Sequence, residues 1–278
     1  MQQRPEFTEM TEEITSDEAV NGFAALNLSA EILQGIQKLG YTTPTECQLR
    51  AIPMALEGRD LVIQSSTGTG KTLAFGLPIL HRLIAGSQGV GALVLCPTRE
   101  LAQQVAHDAI DLVQHCRGLR VANIVGGMPY QLQIAKLQNA NLVVATPGRL
   151  LDLQRSMQIK LDQVQFLVVD EADRMLDLGF SDDLAEINQL TIGRKQTMMF
   201  SATFAARIQQ LAARVMREPQ RITIDSPQEK HANIKQVLFW ADNAQHKRKL
   251  LDHWLRDTSI NQAIVFASTQ VECDGLAN

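Results

Sequence analysis

From residue 60 onward, short apolar runs alternate with longer stretches in which apolar residues return every three to four positions. The runs are "DLVIQS" (60–65), "ALVLC" (92–96), "RVANIV" (120–125), "NLVVAT" (141–146), "FLVVD" (166–170), "QTMMFS" (196–201) and "RITI" (221–224). Most are apolar at nearly every position, as strands covered on both faces are. Between them lie amphipathic segments. In the one from about Arg99 to His115, Leu101, Val105, Ala109 and Leu112 share a face. This alternation predicts an α/β fold, a doubly wound parallel sheet with its ligand site at the strand C-terminal ends.

Composition turns polar at "DSPQEKHAN", which places a linker at 226–233 after a lobe spanning 22–225. Beyond it, "IKQVLFW", a helix from about Gln245 to Asp257 and "QAIVFAS" read as the start of a second α/β unit over 234–278. A piece of about 45 residues is too short to bury its own core comfortably. Residues 1–21 are polar and acidic, read as a disordered tail, and have no apolar region of a signal peptide.

The seam between the first run and the helix after it carries "SSTGTGKT". Gly68 and Gly70 let the backbone turn with positive φ and bring successive N–H groups inward, beside the positive end of a helix dipole. Lys71 is placed to reach β- and γ-phosphates, and the Thr72 hydroxyl to ligate Mg²⁺. The match to the G-x-x-x-x-G-K-[ST] pattern is incomplete, because Ser65 holds the first glycine position. At the end of "FLVVD" comes "DEAD", Asp170 to Asp173. An acid closing a buried strand can hold Mg²⁺, here Asp170, and the next, Glu171, can orient or deprotonate the attacking water. Alone, "DEAD" also reads as polar capping of a helix.

The remaining composition narrows the class. No apolar run approaches the roughly 20 residues that span a bilayer, so no membrane association is expected. Cys47, Cys96, Cys116 and Cys273 are scattered without a CxxC pair, which argues against a disulfide framework or zinc site and fits a reducing cytoplasm. The net charge of -4 means that any nucleic-acid site is a local patch.

With these motifs in order, the chain from Phe23 onward resembles the DEAD-box RNA helicases, whose nucleotide-binding lobe is RecA-like. "GYTTPTECQ", with Phe23 upstream, resembles the adenine-recognising Q motif, and "SSTGTGKT" motif I. "PTREL", Gly126–Gly127 and "TPGR" resemble the RNA-gripping motifs; "DEAD" is motif II, "SAT" (201–203) motif III, and "AIVFAST" the opening of motif IV.

The resemblance implies a nucleotide site of Phe23, Tyr41, Thr43, Gln48, Ser65, Ser66, Thr67, Gly68, Thr69, Gly70, Lys71 and Thr72, with ATP and Mg²⁺ as cofactors. Gln48 would bond the adenine edge, since an amide offers donor and acceptor side by side; Thr45-x-x-Gln48 also reads as a helix capping box. Phe23 and Tyr41 offer flat faces for the base. Pro97, Thr98, Arg99, Gly126, Gly127, Thr146, Pro147, Gly148 and Arg149 would grip phosphates of one RNA strand without reading bases. Without the family, Arg99 reads rather as a salt-bridged residue at a helix N-terminus and Arg149 as a solvated helix-start residue. Ser201 and Thr203 would couple the two sites through Asp173, or form only an ST-turn.

The implied function is ATP-dependent RNA helicase, acting with RNA and ribonucleoprotein partners, with an ATP-gated RNA clamp or scaffold as the alternative. A phosphate-loop ATPase acting on DNA or protein fits less well, given the Q-motif match, "PTREL" and "TPGR". The family's second-lobe motifs are not in this sequence, so the chain by itself is expected to be weakly active.

Overall fold

The apolar runs become strands because alternate side chains can be buried on both sides of one sheet. The computed structural model describes residues 8–9, 19–66, 68–83, 89–114, 119–224, 235 and 237–277, in two units, Met1–Pro227 and Gln228–Asn278. In the first unit the strands are β1 (Thr8–Glu9), β2 (Leu61–Gln64), β3 (Ala92–Leu95), β4 (Val121–Ile124), β5 (Leu142–Ala145), β6 (Phe166–Val169), β7 (Gln196–Ser201) and β8 (Gln220–Thr223). Their order across the sheet is β1-β8-β2-β7-β6-β3-β5-β4, and every pairing is parallel. In β2, Leu61 and Ile63 face one side and Val62 the other.

Helices fill both sides. The outermost, α1 (Ala30–Lys38), is capped by the Ser29 hydroxyl. On one face of the sheet, α2 (Glu46–Leu56), α3 (Lys71–Leu83) and α4 (Arg99–Val113) bury Ala51, Phe75 and Val105 against Ile63, Val94 and Phe200. On the other face lie α5 (Tyr130–Leu137), α6 (Pro147–Arg155), α7 (Ala172–Asp177), α8 (Ser181–Leu190) and α9 (Ala206–Val215), with Leu150, Met175, Ile187 and Ile208 in that core. Each such side chain stabilises the fold by about 1.5–3 kcal/mol. A third cluster packs α1 and the 3₁₀ turn at Ala19–Leu26 over α2, α3 and α4.

At the strand N-terminal ends, away from the motifs, the buried Asp60 carboxylate accepts the backbone N–H of Thr197 at 2.8 Å and of Arg217 at 2.7 Å. That acid closes the sheet structurally, which leaves the opposite edge free for a ligand site. The linker at 226–233 and most of the acidic tail lie outside the described residues.

The second unit departs from expectation. It contains α10 (Ala244–Leu255) and α11 (Gln270–Ala277), but the described parts of "IKQVLFW" and "QAIVFAS" form no strand. Trp240 is 85% and Phe266 90% exposed. A strand needs a partner for its N–H and C=O groups and a surface for its side chains. Among the described residues of this unit neither run is paired with a strand, although Phe239 packs on Trp254 of α10 with 5.5 Å between ring centroids. Among the described residues of the chain, no helix is long and apolar enough to cross a membrane.

Candidate functional site: the C-terminal edge of the sheet

β2 leads into the phosphate-loop sequence and α3 begins at Lys71, so the loop occupies the seam the sequence predicts. Gly68 (φ 80°) and Gly70 (φ 79°) are both left-handed, a conformation that costs other residues energy. Gly70 is required for space as well: a Cβ there would collide with Gln48 Nε2 and lie 2.9 Å from Thr45 Oγ1.

Those two side chains belong to α2 and hold the loop. The Thr45 hydroxyl donates to Thr69 O at 2.8 Å, and Gln48 Nε2 donates to Gly70 O at 3.1 Å. Gln48 Oε1 accepts from the Thr45 backbone N–H at 2.9 Å, and Thr45 Oγ1 accepts from the Gln48 N–H at 3.3 Å. The capping box is therefore present, and Gln48, 2% exposed, uses both ends of its amide within the protein. The Thr69 hydroxyl donates to Ser66 O at 3.2 Å. Thr67 lies outside the described residues. Of the residues expected to meet a base, Phe23 is instead packed in the apolar cluster with Ile32, Ile52 and Leu77, and Tyr41 and Thr43 are exposed.

Between β2 and β6 runs β7. Over its end, Lys71 Nζ lies 3.5 Å from Asp170 Oδ1, with the two side chains 14% and 3% exposed. Burial raises the Asp170 carboxyl above the usual carboxylate range, and the Lys71 ammonium pulls it back. The same oxygen accepts the Glu171 backbone N–H at 2.9 Å. Glu171 is left-handed (φ 49°, ψ 54°), uncommon for a residue with a Cβ. Such strain is held in place by its surroundings and clusters where chemistry is done. Here it turns the chain from β6 into α7 within one residue, and Asp173 falls in the first turn of that helix.

β7 ends at Ser201, whose carbonyl accepts the Ser65 N–H at 3.0 Å. The Ser65 and Ser201 hydroxyls are buried without a hydrogen-bond partner. Thr203 is exposed and Asp173 half-buried. Among the described residues neither Ser201 nor Thr203 bonds Asp173.

A second constellation covers the ends of β3, β5 and β4. Thr98, following the buried Pro97, caps α4 by accepting the Leu101 N–H at 3.3 Å. Arg99 Nη1 donates to Gly126 O at 3.2 Å and lies so close over Gly127 (φ 78°) that a Cβ there would collide with it. The buried Thr146 precedes α6, which opens with Pro147 at its first position, where a missing N–H costs least. From that turn, past Gly148, Arg149 Nη1 donates to Met128 O at 2.9 Å. Three separated motifs thus meet on the loop after β4.

Sequence reading missed the side chain beneath that loop. Gln133 is fully buried, and its Nε2 donates to Val125 O at 2.7 Å and Met128 O at 3.2 Å. The available signal is positional: it occupies the inward stripe of α5 with Ile134 and Leu137, where an apolar residue is expected. Tyr130, also missed, stacks on Arg149 with 4.3 Å from Cζ to the ring centroid.

The donor set fits Mg²⁺ bound with a nucleotide. No group of three or more His, Cys, Asp or Glu that could cage a metal occurs among the described residues. Mg²⁺ is commonly held by one or two carboxylates together with substrate phosphates and water, and Asp170 matches that mode, whereas the Thr72 side chain is hydrogen-bonded with Asp108 on α4. The cysteines near Lys71 do not add a nucleophile: burial pushes the Cys47 thiol up to about 11 and Cys96 well above its ordinary value.

A family model described as DEAD/DEAH box helicase matches residues 45–211. The ATP-dependent RNA helicase DbpA of Escherichia coli (strain K12) is 39% identical over 261 residues, 93% of this chain and 57% of that protein. The RNA helicase CrhR of Synechocystis sp. is 40% identical over 262 residues, 94% of this chain and 52% of that protein. The crystal structure of a DEAD box protein from the hyperthermophile Methanococcus jannaschii superposes with a TM-score of 0.69 at 35% identity, covering 92% of this chain and 69% of that one. The chain spans about half the length of the curated relatives it matches.

Proposed function

The chain belongs to the DEAD/DEAH box helicase family, and from that premise we propose that it is the nucleotide-binding lobe, with the beginning of a second lobe, of an ATP-dependent RNA helicase. The observation that carries this is the near-buried Lys71–Asp170 pair at 3.5 Å, which joins the phosphate loop to the "DEAD" strand. Residues 22–225 form the first lobe, 226–233 the linker and 234–278 the start of the second.

Lys71 and the N–H groups of the loop through Gly70 receive the β- and γ-phosphates. Asp170 and Thr72 would hold Mg²⁺, which would supply charge neutralisation at those phosphates. Glu171 accepts a proton from the attacking water. Tyr41 and Gln48 sit on the side of the base. The edge formed by Thr98, Arg99, Gly126, Gly127, Gly148 and Arg149 takes the phosphates of one RNA strand without sequence preference. Ser201, Thr203 and Asp173 couple the two sites, and the unpartnered Ser201 hydroxyl is free to form that link. Duplex separation follows when ATP and RNA close two lobes together. The free cysteines Cys47, Cys96 and Cys273 fit action in the cytoplasm.

The test is RNA-stimulated ATP hydrolysis by this chain and by a version completed with a whole second lobe. The short chain should bind nucleotide yet hydrolyse it little, because a stabilising arginine from outside the lobe is worth about 10³–10⁵ in rate in comparable ATPases. In the completed version Glu171→Gln should retain Mg-ATP and RNA while slowing turnover by about 10²–10⁴. Equal turnover by the short and completed chains, or normal turnover by the variant, would overturn the reading.

A further inference from the structure

Tyr130 opens α5 and Arg149 lies in the first turn of α6, so they follow neighbouring strands, β4 and β5. Their side chains close a small ring. The Arg149 guanidinium lies 4.3 Å above the Tyr130 centroid, its Nη1 donates to Met128 O at 2.9 Å, and its Nε is 4.0 Å from Asp152 Oδ2. The Tyr130 hydroxyl donates to that same Asp152 oxygen at 3.4 Å. Arg149 is thereby 13% exposed, while Tyr130 is 43% exposed and belongs to no core cluster. Arg149 Nη2 has no partner among the described residues.

We infer that Tyr130 is a positioning residue for RNA binding: its ring and hydroxyl hold the Arg149 guanidinium in one orientation, with the Nη2 edge left to meet a phosphate. The inference rests on the RNA-gripping reading of Arg149. Its physical basis is preorganisation. An arginine side chain has several rotatable bonds, and fixing them on contact with a ligand costs affinity. Here one face is covered by the ring, one nitrogen is committed to Met128 O and another is drawn toward Asp152. Little freedom remains to be lost when a phosphate arrives. Because Met128 belongs to the loop after β4, the same contacts also fix the spacing between the Arg149 turn and the Gly126–Gly127 turn that carries Arg99. A phosphate chain meeting both arginines therefore meets them at a set separation. Tyr130 has one face on Arg149, so its effect on RNA passes through that residue.

The experiment measures binding of a short labelled oligouridylate by fluorescence anisotropy at low ionic strength, where phosphate contacts are strongest. The proteins are the full chain, Tyr130→Ala, Tyr130→Phe, Arg149→Ala and the Tyr130→Ala/Arg149→Ala pair. Tyr130→Ala should weaken RNA roughly threefold to tenfold, the range for losing a partly exposed cation–π contact. Tyr130→Phe, which keeps the ring, should recover most of it, and ATP affinity should not move in either. Arg149→Ala should weaken RNA at least as much, and the double variant no further. NMR supplies a readout that needs no RNA: the Arg149 Nε–H signal should carry a ring-current shift that Tyr130→Ala removes and Tyr130→Phe keeps. An unchanged signal in Tyr130→Ala overturns the inference. So do additive losses, which would mean that Tyr130 meets RNA directly, and so does a normal affinity of Tyr130→Ala beside a weakened Arg149→Ala. If Arg149→Ala itself binds RNA normally, the gripping role of Arg149 falls and this inference falls with it.

Discussion

Strands β2, β7 and β6 end in a loop system where buried side chains hold backbone; β3, β5 and β4 end in one where backbone carbonyls hold arginine side chains. In the first, Gln48 and Thr45 take the carbonyls of Gly70 and Thr69, and the charged pair Lys71–Asp170 is almost out of solvent. In the second, the carbonyls of Gly126 and Met128 receive Arg99 and Arg149. The difference matches two kinds of ligand. A nucleotide phosphate is small and enters a concavity lined by N–H groups, so the loop must keep its shape without it. A polymer lies along a surface, so the directions of the charges that meet it must be fixed from behind. The strand order places the two groups of ends side by side on one sheet edge.

If the two halves are separately built, substitutions should separate them too. The largest effect is expected for Lys71→Ala, which removes a charge-assisted contact worth roughly 1.5–3 kcal/mol of nucleotide affinity. Calorimetry should show that loss while RNA affinity without nucleotide stays the same. A matching loss of RNA binding would break the comparison, and unchanged ATP affinity would remove the phosphate-loop assignment.

Gly127→Ala probes the other half. The left-handed backbone there strains any residue with a Cβ, by about 1–2 kcal/mol, and the new methyl displaces Arg99 from Gly126 O. RNA affinity should fall and its dependence on salt should flatten, since one phosphate contact fewer releases fewer counterions. ATP affinity should hold. A variant that melts lower yet binds RNA normally would mean that Arg99 does not need this turn.

Much of this was legible before any coordinates. Seven of the eight strands of the first unit, β2 to β8, fall within a residue or two of their apolar runs, because a run buried on both faces has no other way to satisfy its side chains; β1 pairs with β8 from within the polar stretch expected to be a disordered tail. Yet "QAIVFAS" is as apolar as "FLVVD", and in the structure Val168 is fully buried while Phe266 is 90% exposed. An apolar run specifies a strand only together with its neighbours, and pairing is not a local property of the run. In the site, glycines and charged motifs announced the phosphate loop, but not what stands behind it. Tyr130 meets Arg149 only when β4 and β5 lie side by side, and Gln133 acts by reaching back to the loop before its own helix. Their residue types alone carry no mark of either. Phe23 shows the converse: an aromatic ring upstream of the Q motif suggested a stacking face, and packing placed it in the core.

The smallest expected effect sharpens the comparison most, because it asks whether the side chain that holds the phosphate-loop half also reads a ligand. Gln48 is held at both ends, by the Thr45 N–H and by Gly70 O, which leaves one Nε2 hydrogen and one Oε1 lone pair for an adenine edge. Gln48→Ala removes one member of the capping box and one tether of the loop, which should lower stability by about 0.5–2 kcal/mol, as lost helix caps do. If Gln48 only holds the loop, ATP and GTP should weaken equally, through the loosened loop they share. If it also bonds adenine through its remaining donor and acceptor, ATP should weaken more than GTP and the preference between them should shrink. Thermal melts of parent and variant, alone and with each nucleotide, separate the two, because the stability term is common to every condition and cancels in the ATP–GTP difference. A parent chain that already binds ATP and GTP equally would leave Gln48 as a structural residue and return base recognition to Tyr41 and its surroundings.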